Sequence, residues 1–321
     1  MRMPASDLSG KAGLVLGATG FIGWNLCRHL VSQGARVRAV WHQTISDEQR
    51  RDPGVEWRHG SFADRDFMSR ALEGQRVVFH LVSTSGPTRS TTTPFDDLRE
   101  NVEPTLQLAE LSVAAGIDHL VFTSSGGTVY GISRAEFLSE SSQTNPISCY
   151  GVGKLASEKY LEIFGRHLGL KSTILRISNP YGPYQVATKG QGLISKIISC
   201  GLNKEALSIW GDGRVVRDFI YIDDVVSALV AAAGYDGPEH MFNVGSGIGA
   251  SVAEVINAVR RATGLAIDVD YQPPRAADVP VNILDTTLIR RSLDWQPQVS
   301  LEDGLRRTYA WNLAQKNASV L

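Results

Sequence analysis

Short apolar runs alternate along the first half of the chain with longer segments in which apolar residues recur every three or four positions. The runs predict buried parallel strands, which are apolar throughout because both faces of such a sheet are covered. They lie at 11–17, 35–40, 55–59, 76–82, 119–124 and 172–177. The segments with helical spacing lie at 21–32, 64–72, 95–115 and 149–168. This order predicts an α/β fold built on a doubly wound parallel sheet.

Beyond residue 183 the alternation becomes irregular. Strands are predicted at 217–222 and 240–244, and helices at 223–233, 251–263 and 301–316. We therefore expect residues 1–183, joined by parts of 214–245, to form the main domain. Residues 184–321 are expected to form mainly a smaller C-terminal domain.

The first predicted strand ends in a glycine-rich turn, Gly17-Ala18-Thr19-Gly20-Phe21-Ile22-Gly23. Glycines at this spacing let the backbone turn tightly and approach a pyrophosphate at the N-terminus of the following helix. Because the turn follows a strand and opens a helix, it predicts a Rossmann-type dinucleotide site. The polar stretch 83–93 follows another predicted strand, and we expect it to be a ligand-contacting loop.

Tyr150 and Lys154 lie four residues apart within a predicted helix, so their side chains share one face. An ammonium near a phenol favours the phenolate and lowers a pKa that is ordinarily about 10. Such a tyrosine can exchange a proton with a sugar or alcohol hydroxyl while a nicotinamide exchanges hydride. The pair therefore predicts a catalytic role beside the dinucleotide.

The end of the second predicted strand bears on the choice of cofactor. NAD-binding folds usually have a carboxylate there that contacts the adenosine ribose, whereas this chain has Trp41 at about that position. Arg36, Arg38 or His42 could instead contact the 2′-phosphate of NADP. We predict NAD, because a recycled cofactor need not be selected by this contact alone, and NADP is not excluded.

Composition and charge narrow the class of protein. The 321 residues are 43% hydrophobic and 20% charged, with a formal net charge of −1, which gives a nucleic-acid role little support. No apolar run is long enough to span a membrane. The 3 cysteines and 7 histidines show no metal-ligand spacing, so no metal site is predicted. We expect a cytoplasmic enzyme.

Several further motifs occur in order along the chain. They are VVFHLVS at 77–83, ENV at 100–102, FTSSGGTVYG at 122–131, YGVGK at 150–154, LRISNPYGP at 175–183, RDFIYIDD at 217–224 and FNVGSG at 242–247. Together with the glycine turn, they make the chain resemble the extended short-chain dehydrogenase/reductases of the NAD-dependent epimerase/dehydratase family. The resemblance covers roughly residues 11–311. It implies that the smaller domain binds a nucleotide sugar.

The resemblance also implies roles for individual residues. The cofactor positions are Ser61 and Phe62 beside the adenine, Leu81, Val82 and Ser83 beside the nicotinamide, Asn101 near the lysine, and Lys154 on the nicotinamide ribose. The family usually has an aspartate where Ser61 stands. On the substrate side, Asn179 would donate to the diphosphate, Arg217 and Arg275 would bind its oxygens, and Asp278 would contact a ribose.

The third catalytic member in this family is a serine or threonine that hydrogen-bonds the reacting hydroxyl. Its usual position falls on Gly126, so Ser124, Ser125 and Thr128 are the candidates. We favour Ser125 for catalysis, with Ser124 nearer the cofactor and Thr128 as a further contact to the sugar.

The same motif bears on the reaction. The family's dehydratases have an Asp-Glu pair where this chain has Gly127 and Thr128, so dehydration and decarboxylation are disfavoured. The resemblance then predicts 4-epimerisation of a UDP- or dTDP-hexose through a 4-keto intermediate and tightly bound NAD. The alternative is an NADPH-dependent reductase of nucleotide 4-keto-6-deoxysugars, and a non-catalytic redox sensor is a third reading. Helices 95–115 and 149–168 resemble a pair that forms a dimer interface in this group, which implies a homodimer.

Overall fold

The computed structural model of the protein describes residues 10–42, 44–186, 192–274 and 279–318. Its strands are β1 (Ala12–Leu16), β2 (Arg36–Trp41), β3 (Val55–His59), β4 (Val77–His80), β5 (His119–Ser125), β6 (Ser172–Ile177), β7 (Asn179–Tyr181), β8 (Leu207–Trp210), β9 (Val216–Tyr221), β10 (Met241–Val244), β11 (Gly249–Ser251), β12 (Val269–Gln272) and β13 (Val281–Asn282). Its helices are α1 (Phe21–Ser32), α2 (Asp47–Arg51), α3 (Arg65–Leu72), α4 (Pro87–Thr92), α5 (Pro94–Asp97), α6 (Glu103–Ala114), α7 (Cys149–Leu168), α8 (Leu193–Asn203), α9 (Ile222–Ala233), α10 (Val252–Thr263), α11 (Thr287–Leu293) and α12 (Leu301–Ala318).

The main sheet, as far as the described residues show it, has seven parallel strands in the order β10-β6-β5-β4-β1-β2-β3. The chain leaves β1 toward β2 and β3, and it then crosses to β4 on the other side of β1. In such a sheet the ligand crevice lies beyond the carboxyl ends of the strands where the direction reverses. The doubly wound sheet expected from the sequence is confirmed.

Apolar residues cover both faces of the main sheet. Neighbouring residues of β1 belong to different buried clusters, because successive side chains of a strand point to opposite faces. Val15 packs with residues of α1 and α9, whereas Leu14 and Leu16 pack with residues of α3, α6 and α7. This two-sided burial explains why the strands read as unbroken apolar runs in the sequence.

The segment predicted as one helix at 95–115 is broken into three pieces. The four-residue helix α5 passes into a π-helical turn at Leu98–Val102, and α6 follows. Pro104 explains the wider turn, because it has no N–H to donate to the carbonyl of Glu100 and its ring crowds that carbonyl. The polar stretch 83–93, expected to be a loop, contains the short helix α4.

The chain after β6 contains elements that the sequence did not predict. Strands β11, β9 and β13 form a sheet to which β7 is added, and β8 pairs with β12. Helix α8 is the largest of the missed elements. Strand β10 returns to the main sheet beside β6. Among the described residues, no helix combines the length and apolar character needed to cross a bilayer.

Candidate active site

The glycine turn joins β1 to α1 and leaves no room for side chains. Gly17 has a φ of +82°, and a Cβ there would lie 3.0 Å from the carbonyl carbon of Leu81. A Cβ on Gly23 would lie 2.2 Å from the carbonyl oxygen of Gly17. The two glycines therefore let strand, turn and helix pack closely.

The start of α1 is suited to a pyrophosphate. Its N-cap is Gly20, which has no side chain to accept hydrogen bonds from the first backbone N–H groups of the helix. These groups and the helix dipole favour an anion at this point. Thr19, Phe21 and Ile22 lie in the same turn and are half-buried. The geometry thus fits a dinucleotide, with its pyrophosphate held at Gly17–Gly23.

The arginines of β2 point away from a dinucleotide site at the glycine turn. Arg36 lies beside Ala12, at the opposite end of β1 from the turn, roughly 13 Å along the strands. Arg38 forms an ion pair with Glu56 at 3.2 Å and donates to the carbonyl oxygens of Ala71 and Glu73. Neither guanidinium is therefore placed to bind a 2′-phosphate.

Five of the predicted cofactor positions lie on the loops that follow β3 and β4. The hydroxyl of Ser61 accepts a hydrogen bond from the amide of Ala63, and the ring of Phe62 packs 4.8 Å from that of His80. Leu81 is held by a hydrogen bond from its amide to the carbonyl oxygen of Leu16. Val82 and Ser83 come next, so this loop lies beside the glycine turn, as the prediction of a cofactor crevice requires.

Tyr150 lies in the first turn of α7 and faces the loop after β4. Its amide donates to the buried hydroxyl of Ser90 at 2.8 Å, which fixes the start of the helix. Ser83 lines the same cavity as Tyr150. Both Ser83 and Ser125 lie close enough to the phenol for side-chain hydrogen bonding to lower its pKa. The structure thus brings together the predicted tyrosine, the favoured catalytic serine and a predicted cofactor residue.

Lys154 is buried one helical turn further along α7. Its Nζ donates to the carbonyl oxygen of Thr123 at 3.0 Å and lies 5.8 Å from the centre of the Tyr150 ring. Burial lowers the pKa of Lys154 to about 8, while the carboxylates of Asp97 and Glu158 act in the opposite direction. Asn101 lies in the wall of the same cavity as Lys154.

One expectation about Tyr150 is wrong. The sequence suggested that the neighbouring ammonium lowers the pKa of this phenol, but burial raises the pKa above its ordinary value. Hydrogen bonds with Ser83 and Ser125 oppose that effect, and the negative charge of Asp97 adds to it. The ammonium contributes little because it is directed toward Thr123 on β5.

The glycine pair of the SSGG segment explains the departure from the family's serine position. A Cβ on Gly126 would lie 2.5 Å from Cδ1 of Leu284 and 3.0 Å from the carbonyl oxygen of Arg176. A serine at 126 would therefore require the side chain of Leu284 to move and the carbonyl of Arg176 to shift slightly. Ser125, one residue earlier, contacts Tyr150 instead.

The other two hydroxyl candidates have different surroundings. Ser124 is buried and donates its hydroxyl to the carboxylate of Glu158 on α7. The Oγ1 of Thr128 is buried and has no hydrogen-bond partner among the described residues. A buried hydroxyl without a partner is costly, so this atom is available to a ligand or a water molecule.

The predicted substrate residues occupy two neighbouring strands. Asn179 on β7 donates to the carbonyl oxygen of Asp218 at 3.0 Å, and Arg217 on β9 donates to that of Val279 at 2.6 Å. The predictions for Arg275 and Asp278 fall outside the described residues.

Asp218 was not singled out from the sequence, although it lies in the RDFIYIDD motif and is fully buried. Its buried carboxylate accepts hydrogen bonds from the amides of Ser246, Gly247 and Leu284. It thereby fixes the FNVGSG loop beside the proposed substrate strands. Asp97 was missed as well, because an aspartate at a helix end carries no periodic or motif signal.

Comparisons with known proteins agree with this geometry. A family model described as the NAD dependent epimerase/dehydratase family matches residues 13–245. A UDP-glucose 4-epimerase of Mycolicibacterium smegmatis is 35% identical over 92% of this chain and 96% of that protein. A dTDP-4-dehydro-6-deoxyglucose reductase of Escherichia coli is 31% identical over 91% of this chain and 94% of that protein. The crystal structure of UDP-glucose 4-epimerase with UDP-glucose from Thermotoga maritima has a TM-score of 0.91 and 34% identity, covering 95% of this chain and 99% of that one. The chain is a member of the NAD dependent epimerase/dehydratase family.

Proposed function

We propose that the protein is a nucleotide-sugar 4-epimerase that works with tightly bound NAD and acts on a UDP-hexose. The observation that carries this proposal is the cavity lined by Ser83, Tyr150 and Lys154, which follows the strand next to the glycine turn. The likeness to UDP-glucose 4-epimerases over nearly the whole chain supports the choice of reaction.

The residues of the site suit the two half-reactions of an epimerase. The glycine turn Gly17–Gly23 would hold NAD⁺, and the bound cofactor would supply an acceptor and donor of hydride for C4 of the sugar. The deprotonated form of Tyr150, which burial disfavours and the hydroxyls of Ser83 and Ser125 favour, takes the proton of the C4 hydroxyl, which Ser125 orients. After the 4-keto sugar has turned in the pocket, Tyr150 returns the proton to the C4 oxygen. Lys154 supplies a buried positive charge close to this proton transfer.

Dehydration does not fit the segment beside the sugar. A dehydratase needs a proton donor there, and this chain has Gly127 and Thr128, neither of which is a carboxylic acid. The second candidate is a nucleotide 4-keto-6-deoxysugar reductase, which is favoured by the likeness to the E. coli reductase. The orientation of Arg36 and Arg38 argues against it, because they do not face a 2′-phosphate.

The smaller C-terminal domain, which we propose consists mainly of residues 184–321, would bind the nucleotide sugar. Asn179 and Arg217 would bind the diphosphate where β7 and β9 run side by side, and Arg275 and Asp278 would complete the nucleotide site. Thr128 would contribute its buried hydroxyl to the sugar. We also propose a cytoplasmic location, because Cys27, Cys149 and Cys200 are free thiols.

The reaction can be tested with purified protein, UDP-glucose and no added cofactor. We expect an equilibrium mixture of UDP-glucose and UDP-galactose, observed by NMR of the anomeric protons. NAD(H) should appear in the supernatant of the heat-denatured enzyme. Turnover of a 4-keto sugar that depends on stoichiometric NADPH, with no epimerisation, would transfer the assignment to the reductase.

We propose that the protein is a homodimer in solution. Helix α7 exposes a row of apolar side chains, with Val152, Tyr160 and Ile163 between 42% and 53% exposed. Leu98, in the π-helical turn, is also exposed. Large apolar side chains in a contiguous row are typical of an interface.

Light scattering should give twice the 34.9 kDa of one chain, and Val152→Asp should shift the protein toward the monomer. A monomeric wild-type protein would contradict the proposal.

A further inference from the structure

Asp97 is a buried carboxylate near the reacting groups that the mechanism above does not use. It ends α5, immediately before the π-helical turn, and is 5% exposed. Its side chain accepts a hydrogen bond from the hydroxyl of Ser85 and another from Nδ2 of Asn101, at 3.2 Å. Carboxylates are seldom buried unless they are paired or needed, so this position requires an explanation.

Asp97 approaches the backbone of the catalytic helix at a single glycine. A Cβ on Gly153 would lie 2.9 Å from Oδ2 of Asp97 and 3.3 Å from Cγ2 of Val102. Gly153 directly precedes Lys154, and Asp97, Asn101, Tyr150 and Lys154 line one small cavity. The absence of a side chain at 153 is therefore what lets the carboxylate reach this cavity.

Asp97 also holds the loop that contacts the hydroxyl of Tyr150. Ser83 donates to the carbonyl oxygen of Ser85 at 3.0 Å, and Ser85 donates to Asp97. Asn101, itself bonded to Asp97, accepts from the amide of Thr84 at 3.0 Å and donates to its hydroxyl at 2.9 Å. The carboxylate thus fixes the loop that brings Ser83 to Tyr150.

The charges around Lys154 come from several elements. Asp97 approaches from α5, Glu158 and Tyr150 lie on α7, and His80 lies on β4. Asp97 raises the pKa of Lys154 more than Glu158 does, and it also raises the pKa of Tyr150. Burial keeps His80 neutral by lowering its pKa, and the charge of Lys154 acts in the same direction.

We propose that Asp97 is a positioning residue for the reaction: its buried charge sets the protonation of the Tyr150–Lys154 pair, and its hydrogen bonds hold Ser83 against Tyr150. This inference rests on the proposed function. Asp97 itself contacts neither sugar nor cofactor in this assignment. Gly153 makes this arrangement possible, because the Cβ of any larger residue would displace the carboxylate of Asp97.

The test compares Asp97→Asn with Asp96→Asn, which removes the same charge from an exposed neighbour on the same helix. The observable is the dependence of kcat/KM on pH, whose two limbs are expected to report the pKa values of Tyr150 and Lys154. Loss of the negative charge favours the deprotonated form of both groups. Asp97→Asn should therefore move both limbs to lower pH by roughly 0.5 to 1 unit, whereas Asp96→Asn should leave them in place.

Two further variants make the outcome decisive. Ser85→Ala keeps the charge and removes one hydrogen bond, so kcat should fall about 10-fold with the limbs unmoved. If Asp97→Asn fails to fold, as judged by circular dichroism, Asp97→Ser should show the same displacement of the limbs. An unmoved profile in a folded, active Asp97 variant would overturn the inference. Lack of epimerisation by the wild type and by Asp96→Asn would instead overturn the proposed function.

Discussion

Replacing Tyr150 with phenylalanine is expected to lower kcat for C4 interconversion by about 10²- to 10⁴-fold, the usual contribution of a general acid–base group. The change removes the hydroxyl near Ser83 and Ser125 and leaves the ring that packs near Lys154. The glycine turn that would hold the cofactor pyrophosphate is untouched, so the dinucleotide should stay bound. Rates are measured by NMR, and NAD(H) content by absorbance after denaturation.

The matched control for this change is Tyr160→Phe. Tyr160 lies on the same helix, is 42% exposed and is remote from the site. It should retain full activity. A Tyr150→Phe enzyme with wild-type kcat would remove Tyr150 from the mechanism. Equal losses in the two variants would point to damage to the helix rather than to the chemistry.

Replacing Glu158 with alanine should reduce the free energy of unfolding by about 3 to 5 kcal/mol, the usual cost of removing one partner of a buried ion pair. Glu158 is fully buried, and its Oε2 lies 2.6 Å from Nη2 of Arg176, which is only 2% exposed. It also accepts the hydroxyl of Ser124. The change would leave a guanidinium unpaired between α7 and β6. Urea unfolding of the cofactor-loaded protein measures the effect.

Glu110→Ala is the control for the ion pair, because Glu110 pairs with Arg65 at 2.7 Å and both side chains are exposed. Its removal should leave the free energy of unfolding close to the wild-type value, because water screens an exposed pair. The double change Glu158→Leu with Arg176→Met should recover much of the lost stability, since apolar residues can replace a buried pair. If the free energy of unfolding of Glu158→Ala lay within about 1 kcal/mol of the wild-type value, burial of Arg176 without its carboxylate partner would cost little, which would contradict this prediction.

The sequence predicted the elements around the glycine turn well, because buried parallel strands and amphipathic helices have strong and different patterns. The break in helix 95–115 was not predicted, since its apolar spacing continues across the π-helical turn at Leu98–Val102. Short strands such as β11 and β13 have two or three residues and are too brief to show a pattern.

In the candidate site, the sequence motifs identified which residues come together, but they did not predict the pKa values of those residues. The four-residue spacing of Tyr150 and Lys154 fixes their common helix face, but not the direction of the ammonium, which β5 determines through Thr123. The rise in the pKa of Tyr150 comes from burial, which depends on packing between distant segments. Asp97 was missed for the same reason, because its contact with Gly153 joins positions 56 residues apart.

Deuterium at C4 of UDP-glucose gives the most direct test of hydride recycling through a bound dinucleotide. The enzyme is incubated with this substrate in ordinary water, without added cofactor, and the product is examined by NMR and mass spectrometry. We predict that UDP-galactose retains the deuterium at C4, because the hydride leaves and returns without exchange with solvent. Product in which the C4 deuterium has been replaced by hydrogen from water would contradict epimerisation through a bound dinucleotide.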